Sequence, residues 1–184
     1  MESVNTLLNQ TKDYYNQILS HGDPRVSEWA MMASPMPTFS IVALYLLVIH
    51  YGQKIMAHRS SGFEIRSLMV LYNTIMVCFS LYLVYEFSVA GWIFGGYTLG
   101  CQPVDRSMNP QALRMARACW LFYITKLIEL VDTVFFVLRR KFKLITFLHV
   151  FHHSFTAISW WVGAKFVPGI FFFSRLNALF LSLI

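Results

Sequence analysis

The chain has 184 residues, 57% of them hydrophobic and only 13% charged, and its mean hydropathy is +0.52. That mixture excludes an ordinary soluble globular domain and reads as an integral membrane protein. The formal net charge is +6, but the cations stand in short clusters between apolar stretches, as topology signals do, so nucleic acid is not an expected partner.

Residues 1–35 are polar and read as a luminal N-terminal segment. No basic stretch followed by an apolar core and a small-residue cleavage site opens the chain. A cleavable signal peptide is therefore not expected, and the first spanning segment is expected to direct insertion. The sequon Asn9-Gln10-Thr11 makes Asn9 a glycosylation candidate if this end is luminal. Val4, Leu7, Leu8, Tyr14, Tyr15, Ile18 and Leu19 recur at helical spacing, which predicts a short interfacial helix.

Residues 36–184 read as a partial transmembrane domain. A hydrocarbon core of about 30 Å needs about 20 apolar residues per helix. The predicted spans are Pro37 to Tyr51, Leu68 to Phe87, Met115 to Leu138 and Val150 to Val167, with residues 170–184 as part of a fifth. Prolines in Ser34-Pro35-Met36-Pro37-Thr38 suit a helix start, and Pro168-Gly169 suits an end. Lys54, Arg59 and Arg66, and the cluster Arg139, Arg140, Lys141 and Lys143, mark two loops as cytosolic. The turn-rich stretch from Gly95 to Pro110 reads as luminal, although Arg114 and Arg117 count against it. Cys78, Cys101 and Cys119 form neither a C-x-x-C pair nor an even-numbered framework, so they imply no zinc site and no disulfide scaffold.

Two features stand out inside the apolar segments. His149, His152 and His153 lie on one face of a helix at spacings of three and four, so their rings converge. Lys126, Glu129 and Asp132 form a second stripe, about 120 degrees wide. A charge at a membrane helix centre costs about 2.5–3.5 kcal/mol, so these groups must face protein or water. If the two segments form a hairpin about Lys141, Asp132 faces the level of His149 or Val150, and Glu129 faces His152 and His153. The cluster then lies about 12–18 Å from the cytosolic turn. A neutral imidazole is a nucleophile near neutral pH, a neighbouring carboxylate fixes its tautomer, and adjacent imidazoles pass protons. Without a hydroxyl or thiol nucleophile standing out, the expected chemistry is acyl transfer from a thioester through an acyl-imidazole. The bland readings are helix packing for His50, solvated loops for His21 and His58, and packing support for the charged stripe.

At Lys126-Leu-Ile-Glu-Leu-Val-Asp-Thr-Val-Phe-Phe136 and Leu148-His-Val-Phe-His-His153 the sequence closely resembles the ELO family of very-long-chain fatty acid elongases. The likeness covers residues 20–169 and includes Asp23-Pro-Arg-Val26, Trp29, Ser34-Pro-Met-Pro-Thr38, Leu71-Tyr-Asn73, Tyr85-Glu86 and Cys101-Gln102. It implies an all-α, seven-transmembrane-helix bundle in the endoplasmic reticulum membrane, of which four to five spanning helices are present here. It also implies condensation of a fatty acyl-CoA with malonyl-CoA to a 3-oxoacyl-CoA, with release of CoA and carbon dioxide. By that resemblance His152 takes the acyl group, His149 and His153 act in acid-base or orienting roles, and Lys126, Glu129 and Asp132 support them. Arg139, Arg140, Lys141 and Lys143 would steer CoA phosphates, no metal or cofactor is expected, and oligomers with other elongases and elongation-cycle enzymes are possible partners. The family continues to a further active-site histidine, whereas Leu181 stands at that place if Asn177 is the matching asparagine. The chain is accordingly read as C-terminally truncated. The rival readings are an inactive isoform that only associates with full-length partners, a histidine-box di-iron oxygenase, and a proton-coupled transporter. The oxygenase wants more histidine ligands than the six present. The transporter wants repeats or broken helices.

Overall fold

A computed structural model describes residues 2–96 and 104–168, and among these every regular element is helical. Six α-helices follow in order: α1 Glu2–Ser20, α2 Met36–Ala57, α3 Arg66–Phe87, α4 Pro110–Ile128, α5 Leu130–Leu138 and α6 Phe147–Phe166. Short 3₁₀ turns occur at Pro24–Val26 and Phe142–Leu144, and a π turn over Ser88–Ile93 continues α3. Cys101 and the expected segment 170–184 lie outside the described residues.

Several boundaries differ from the sequence reading. α2 runs to Ala57 instead of Tyr51, because Lys54 sits in its last turn, where a cation complements the helix dipole and need not mark a loop. The third segment begins at Pro110, where Asn109 accepts a hydrogen bond from the Gln111 amide. That is an N-cap with proline at the first helical position. The same segment is interrupted at Glu129, where the Asp132 amide donates to the Glu129 carbonyl, one residue tighter than an α-turn.

Four spans were expected, and the spans Met36–Ala57 and Arg66–Gly91 are each long and apolar enough to cross a bilayer. α4 and α6 carry charge within their lengths and match it internally. Arg114 makes a two-pronged ion pair with Glu86 of α3 at 2.6 and 2.9 Å, and Lys165 donates to Ser27 at 3.1 Å. α3 is almost wholly exposed on its apolar side chains, among them Leu68, Leu71, Ile75 and Leu81, a surface suited to hydrocarbon.

α4 packs against α6, with α2 against α5 and α6, and α3 against α4. Lipid is as apolar as a protein core, so close packing and hydrogen bonds hold such helices together. Accordingly Ala116, Ala118, Ala157 and Ala164 are buried, their small side chains permitting close backbone approach. Thr38 of α2 and Tyr123 of α4 share a buried hydrogen bond of 2.7 Å.

The segment from Gly22 to Met32 closes one end of the bundle. Val26 and Met32, both fully buried, pack with Tyr123, Trp160 and Trp161. The indole N–H groups of Trp120 and Trp161 donate to the carbonyls of Ala30 and Met31. Asp23 caps the Pro24–Val26 turn, and its amide donates to the Lys165 carbonyl at 2.7 Å. Its carboxylate accepts from Arg25 Nη2, which also donates to the Asp105 carbonyl, while Arg25 Nη1 donates to the Ser107 carbonyl. Burial alone raises the Asp23 pKa, but hydrogen bonds and charge from Arg25, with Arg106 nearby, outweigh it and hold the carboxyl below its usual range. α1 contacts this end through Leu19 and a Tyr15–Ser34 hydrogen bond of 2.9 Å, while Val4, Leu7, Leu8 and Ile18 stay exposed.

Candidate active site

The histidine cluster lies at the opposite end, where α6 begins. Thr146 caps α6 by accepting from the His149 amide at 3.2 Å, so the first helical turn is fixed at the residue that opens the cluster. The ring centroids of His149 and His153 are 4.4 Å apart, and those of His152 and His153 are 5.5 Å apart. His153 is buried; His149 and His152 are half-buried. The expected convergence of all three imidazoles on one neighbourhood is therefore present in the geometry.

Lys126, in the last turn of α4, donates to both oxygens of Glu129 at 2.7 and 2.9 Å, and its ammonium also lies 4.7 Å from the Phe122 ring centroid. Both side chains are mostly buried, at 15% and 20% exposure. This internal pairing answers the cost of placing two charges among apolar helices. The pair lies within electrostatic range of His152.

Asp132 departs from expectation. Its carboxylate lies near Tyr72 of α3, whose hydroxyl donates to the Ile128 carbonyl at 3.3 Å. Positions three apart do not stack along a helix but slip about 60 degrees at each step. The stripe thus winds from the histidine side at Lys126 round to α3 at Asp132. The group facing His149 is the next residue, Thr133. Its hydroxyl stands 2.9 Å from His149 Nε2 and 2.9 Å from the Tyr45 hydroxyl of α2. Thr133 is fully buried and Tyr45 nearly so, and the Phe136 ring lies 5.6 Å from that of His149. Sequence reasoning singled out neither Thr133 nor Tyr45. The available signal was that a buried hydroxyl inside an apolar helix must find a partner.

The cationic cluster divides. Arg140 takes a left-handed backbone, φ 56°, and donates to the Ser60 and Ala57 carbonyls at 2.8 and 3.4 Å. It thereby satisfies orphan carbonyls beyond the end of α2. Arg139 lies against the Met69 sulfur at 3.4 Å. Only Lys141 and Lys143 of this group are exposed. Asn9 is exposed on α1. Among the described residues no three His, Cys, Asp or Glu side chains form a metal-holding group.

A partly buried row of imidazoles within electrostatic range of an ammonium–carboxylate pair, at one end of an apolar helical bundle, is the setting in which the two sequence boxes are brought together. Residues 30–183 match the sequence profile of ELO, the GNS1/SUR4 family. The chain belongs to the ELO family. It is 45% identical over 164 residues to very long chain fatty acid elongase 7 of Rattus norvegicus, covering 89% of this chain and 58% of that protein. Against very long chain fatty acid elongase 1 of Homo sapiens the identity is 48% over 156 residues, 84% of this chain and 55% of that protein. Against very long chain fatty acid elongase 4 of Homo sapiens it is 41% over 177 residues, 95% of this chain and 56% of that protein. The chain thus spans a little over half the length of these ELO relatives. Both its membership and its apolar helices make it a membrane protein.

Proposed function

We propose that this ELO chain carries the acyl-accepting site of a fatty acid elongase, condensing a long- or very-long-chain fatty acyl-CoA with malonyl-CoA. The observation that carries the reading is the convergence of His149, His152 and His153 at the start of α6, with the mostly buried Lys126–Glu129 pair within electrostatic range of His152. The relatives' names supply the substrate class.

In the first step a ring nitrogen of His152 attacks the thioester carbonyl. A C–N bond forms, the C–S bond breaks, and CoA leaves as a thiol after taking the proton the imidazole gives up. The Lys126 ammonium is suited to countering negative charge on the thioester oxygen as it develops. In the second step malonyl-CoA loses carbon dioxide, and the electron pair of the broken C–C bond attacks the acyl carbon. The C–N bond then breaks, the departing imidazole takes up a proton from solvent in place of the one that left with CoA, and a 3-oxoacyl-CoA two carbons longer is released. His153, its ring centroid 5.5 Å from that of His152, passes protons to and from it in this reading. The exposed Lys141 and Lys143 are the cations available to CoA phosphates; Arg139 and Arg140 already hold protein partners. The steps require no metal or cofactor. The same reading places the chain in the endoplasmic reticulum membrane with its N-terminus and Asn9 luminal, in association with other elongases and elongation-cycle enzymes.

The test is labelled acyl-CoA presented to microsomes containing the chain. Acyl label bound to the protein, labile to hydroxylamine and absent in His152→Ala, is expected; label that persists in His152→Ala contradicts the assignment of the nucleophile.

A further inference from the structure

Three groups stand in line from α2 to α6: the Tyr45 hydroxyl, the Thr133 hydroxyl and His149 Nε2, with 2.9 Å at each step. All the spacing is hydrogen-bond spacing, and Thr133 is wholly enclosed. A hydroxyl carries one proton, so Thr133 can donate to only one of its two neighbours. If His149 Nε2–H donated to Thr133, Thr133 would donate to Tyr45, and the phenolic proton, on a residue only 4% exposed, would then need another acceptor. In the opposite direction both hydroxyl protons are accepted within the row, Tyr45 donating to Thr133 and Thr133 to His149 Nε2, and the one proton left over is the Nδ1–H of His149, on a half-buried ring instead of an enclosed phenol.

The geometry points to Tyr45 and Thr133 as positioning residues that hold His149 in the tautomer protonated at Nδ1, with the Nε2 lone pair already engaged. His149 is then excluded from attacking through Nε2, and its ring is fixed 4.4 Å from that of His153. The hydroxyl pair does here what sequence reasoning assigned to a carboxylate, since Asp132 is turned toward Tyr72. The catalytic consequence rests on the elongase reading above; the tautomer does not.

The experiment is nitrogen NMR of the chain in nanodiscs with ¹⁵N-labelled histidine, His149 signals being identified by their loss in His149→Gln. In the unaltered chain His149 is expected to show a protonated Nδ1 and an unprotonated Nε2. Thr133→Val, which keeps shape and removes the hydroxyl, is expected to release this preference; Thr133→Ser is expected to retain it. Tyr45→Phe tests the outer link and is expected to weaken the preference without abolishing it. A protonated Nε2 in the unaltered chain, or a Thr133→Val spectrum unchanged at His149, overturns the inference. In the acyl-transfer assay Thr133→Val should slow labelling of His152 by about tenfold, the loss of one buried hydrogen bond, with Thr133→Ser near the unaltered rate. Because the spectra need no turnover, a chain with no activity but the stated tautomer refutes the elongase reading alone. A normal rate with the wrong tautomer refutes only the relay.

Discussion

The segment closing the bundle end opposite the histidines depends on one ion pair, and removing half of it should be far more damaging than removing both halves. Asp23 is fully buried and the Arg25 side chain is 2% exposed, with 2.6 Å between Arg25 Nη2 and Asp23 Oδ2. Arg25 Nε and the Arg25 amide also donate to the carboxylate, at 3.0 and 2.9 Å to Oδ1. Asp23→Ala therefore leaves an uncompensated guanidinium in a closed site and deprives the Pro24–Val26 turn of its cap. Breaking such a pair costs about 3–5 kcal/mol, and a lost cap typically about 1 kcal/mol, partly the same energy. The expected loss is about 3–5 kcal/mol in denaturant unfolding of the chain in mixed micelles, with earlier protease cleavage near Arg25. The double replacement Asp23→Leu with Arg25→Met removes both charges together and should recover part of that loss, although the bonds to the Asp105 and Ser107 carbonyls go as well. The pH dependence has a defined sign. Because the folded carboxyl titrates below its ordinary value of 3.8, its contribution is complete above about pH 5 and is lost as pH falls through the lowered folded value. The gap between the unaltered chain and Asp23→Asn should be flat from pH 7 to pH 5 and close in more acidic solution. A loss under about 1 kcal/mol for Asp23→Ala, the value of an exposed pair, would refute the buried-pair reasoning. So would a double variant as unstable as the sum of the singles.

Other consequences follow from single contacts. Gly62→Ala would put a Cβ 2.7 Å from the carbonyl carbon and oxygen of Arg139, backbone that cannot swing aside. It should destabilise the joint between α5 and the loop after α2 by about 1–3 kcal/mol, read by the same unfolding assay. Tyr123→Phe strands the buried Thr38 hydroxyl bonded to it at 2.7 Å and should cost about 1–3 kcal/mol. Lys126→Met should destabilise the chain more than the combined Lys126→Met, Glu129→Leu change in the same unfolding assay, since the single variant leaves a mostly buried carboxylate without its partner. Arg140→Ala should loosen the end of α2, seen as faster hydrogen exchange after Ala57, while leaving acyl labelling intact, because its guanidinium holds the Ala57 and Ser60 carbonyls.

The sequence made the helical membrane class and the histidine cluster readable because both rest on strong periodic signals. Mean hydropathy excludes a soluble domain, and spacings of three and four in one helix leave little freedom in where His149, His152 and His153 point. Less readable was anything depending on the angle between helices. Lys126, Glu129 and Asp132 look like one stripe on a helical wheel, yet the slip of each three-residue step and the tightened turn at Glu129 send Asp132 to Tyr72 and leave Thr133 facing His149. A threonine in an apolar helix carries no signal of its own; its role appears only when Tyr45, 88 positions earlier, is brought within 2.9 Å. Likewise Arg139 and Arg140 look like free topology charges until the loop beyond α2 folds back onto them. The Asp23-Pro24-Arg25-Val26 motif, recognisable only through a resemblance, turns out to seal the bundle because its carboxylate and guanidinium satisfy each other, the guanidinium donates to two neighbouring carbonyls, and the Asp23 amide donates to a third.

The central claim, that His152 is the acyl carrier, is tested most directly by peptide mapping after brief exposure of the chain to a labelled fatty acyl-CoA. The account predicts an acyl group on the peptide containing His152, discharged as a chain two carbons longer when malonyl-CoA is added. Label located on any other residue, or retained after malonyl-CoA addition, would contradict it.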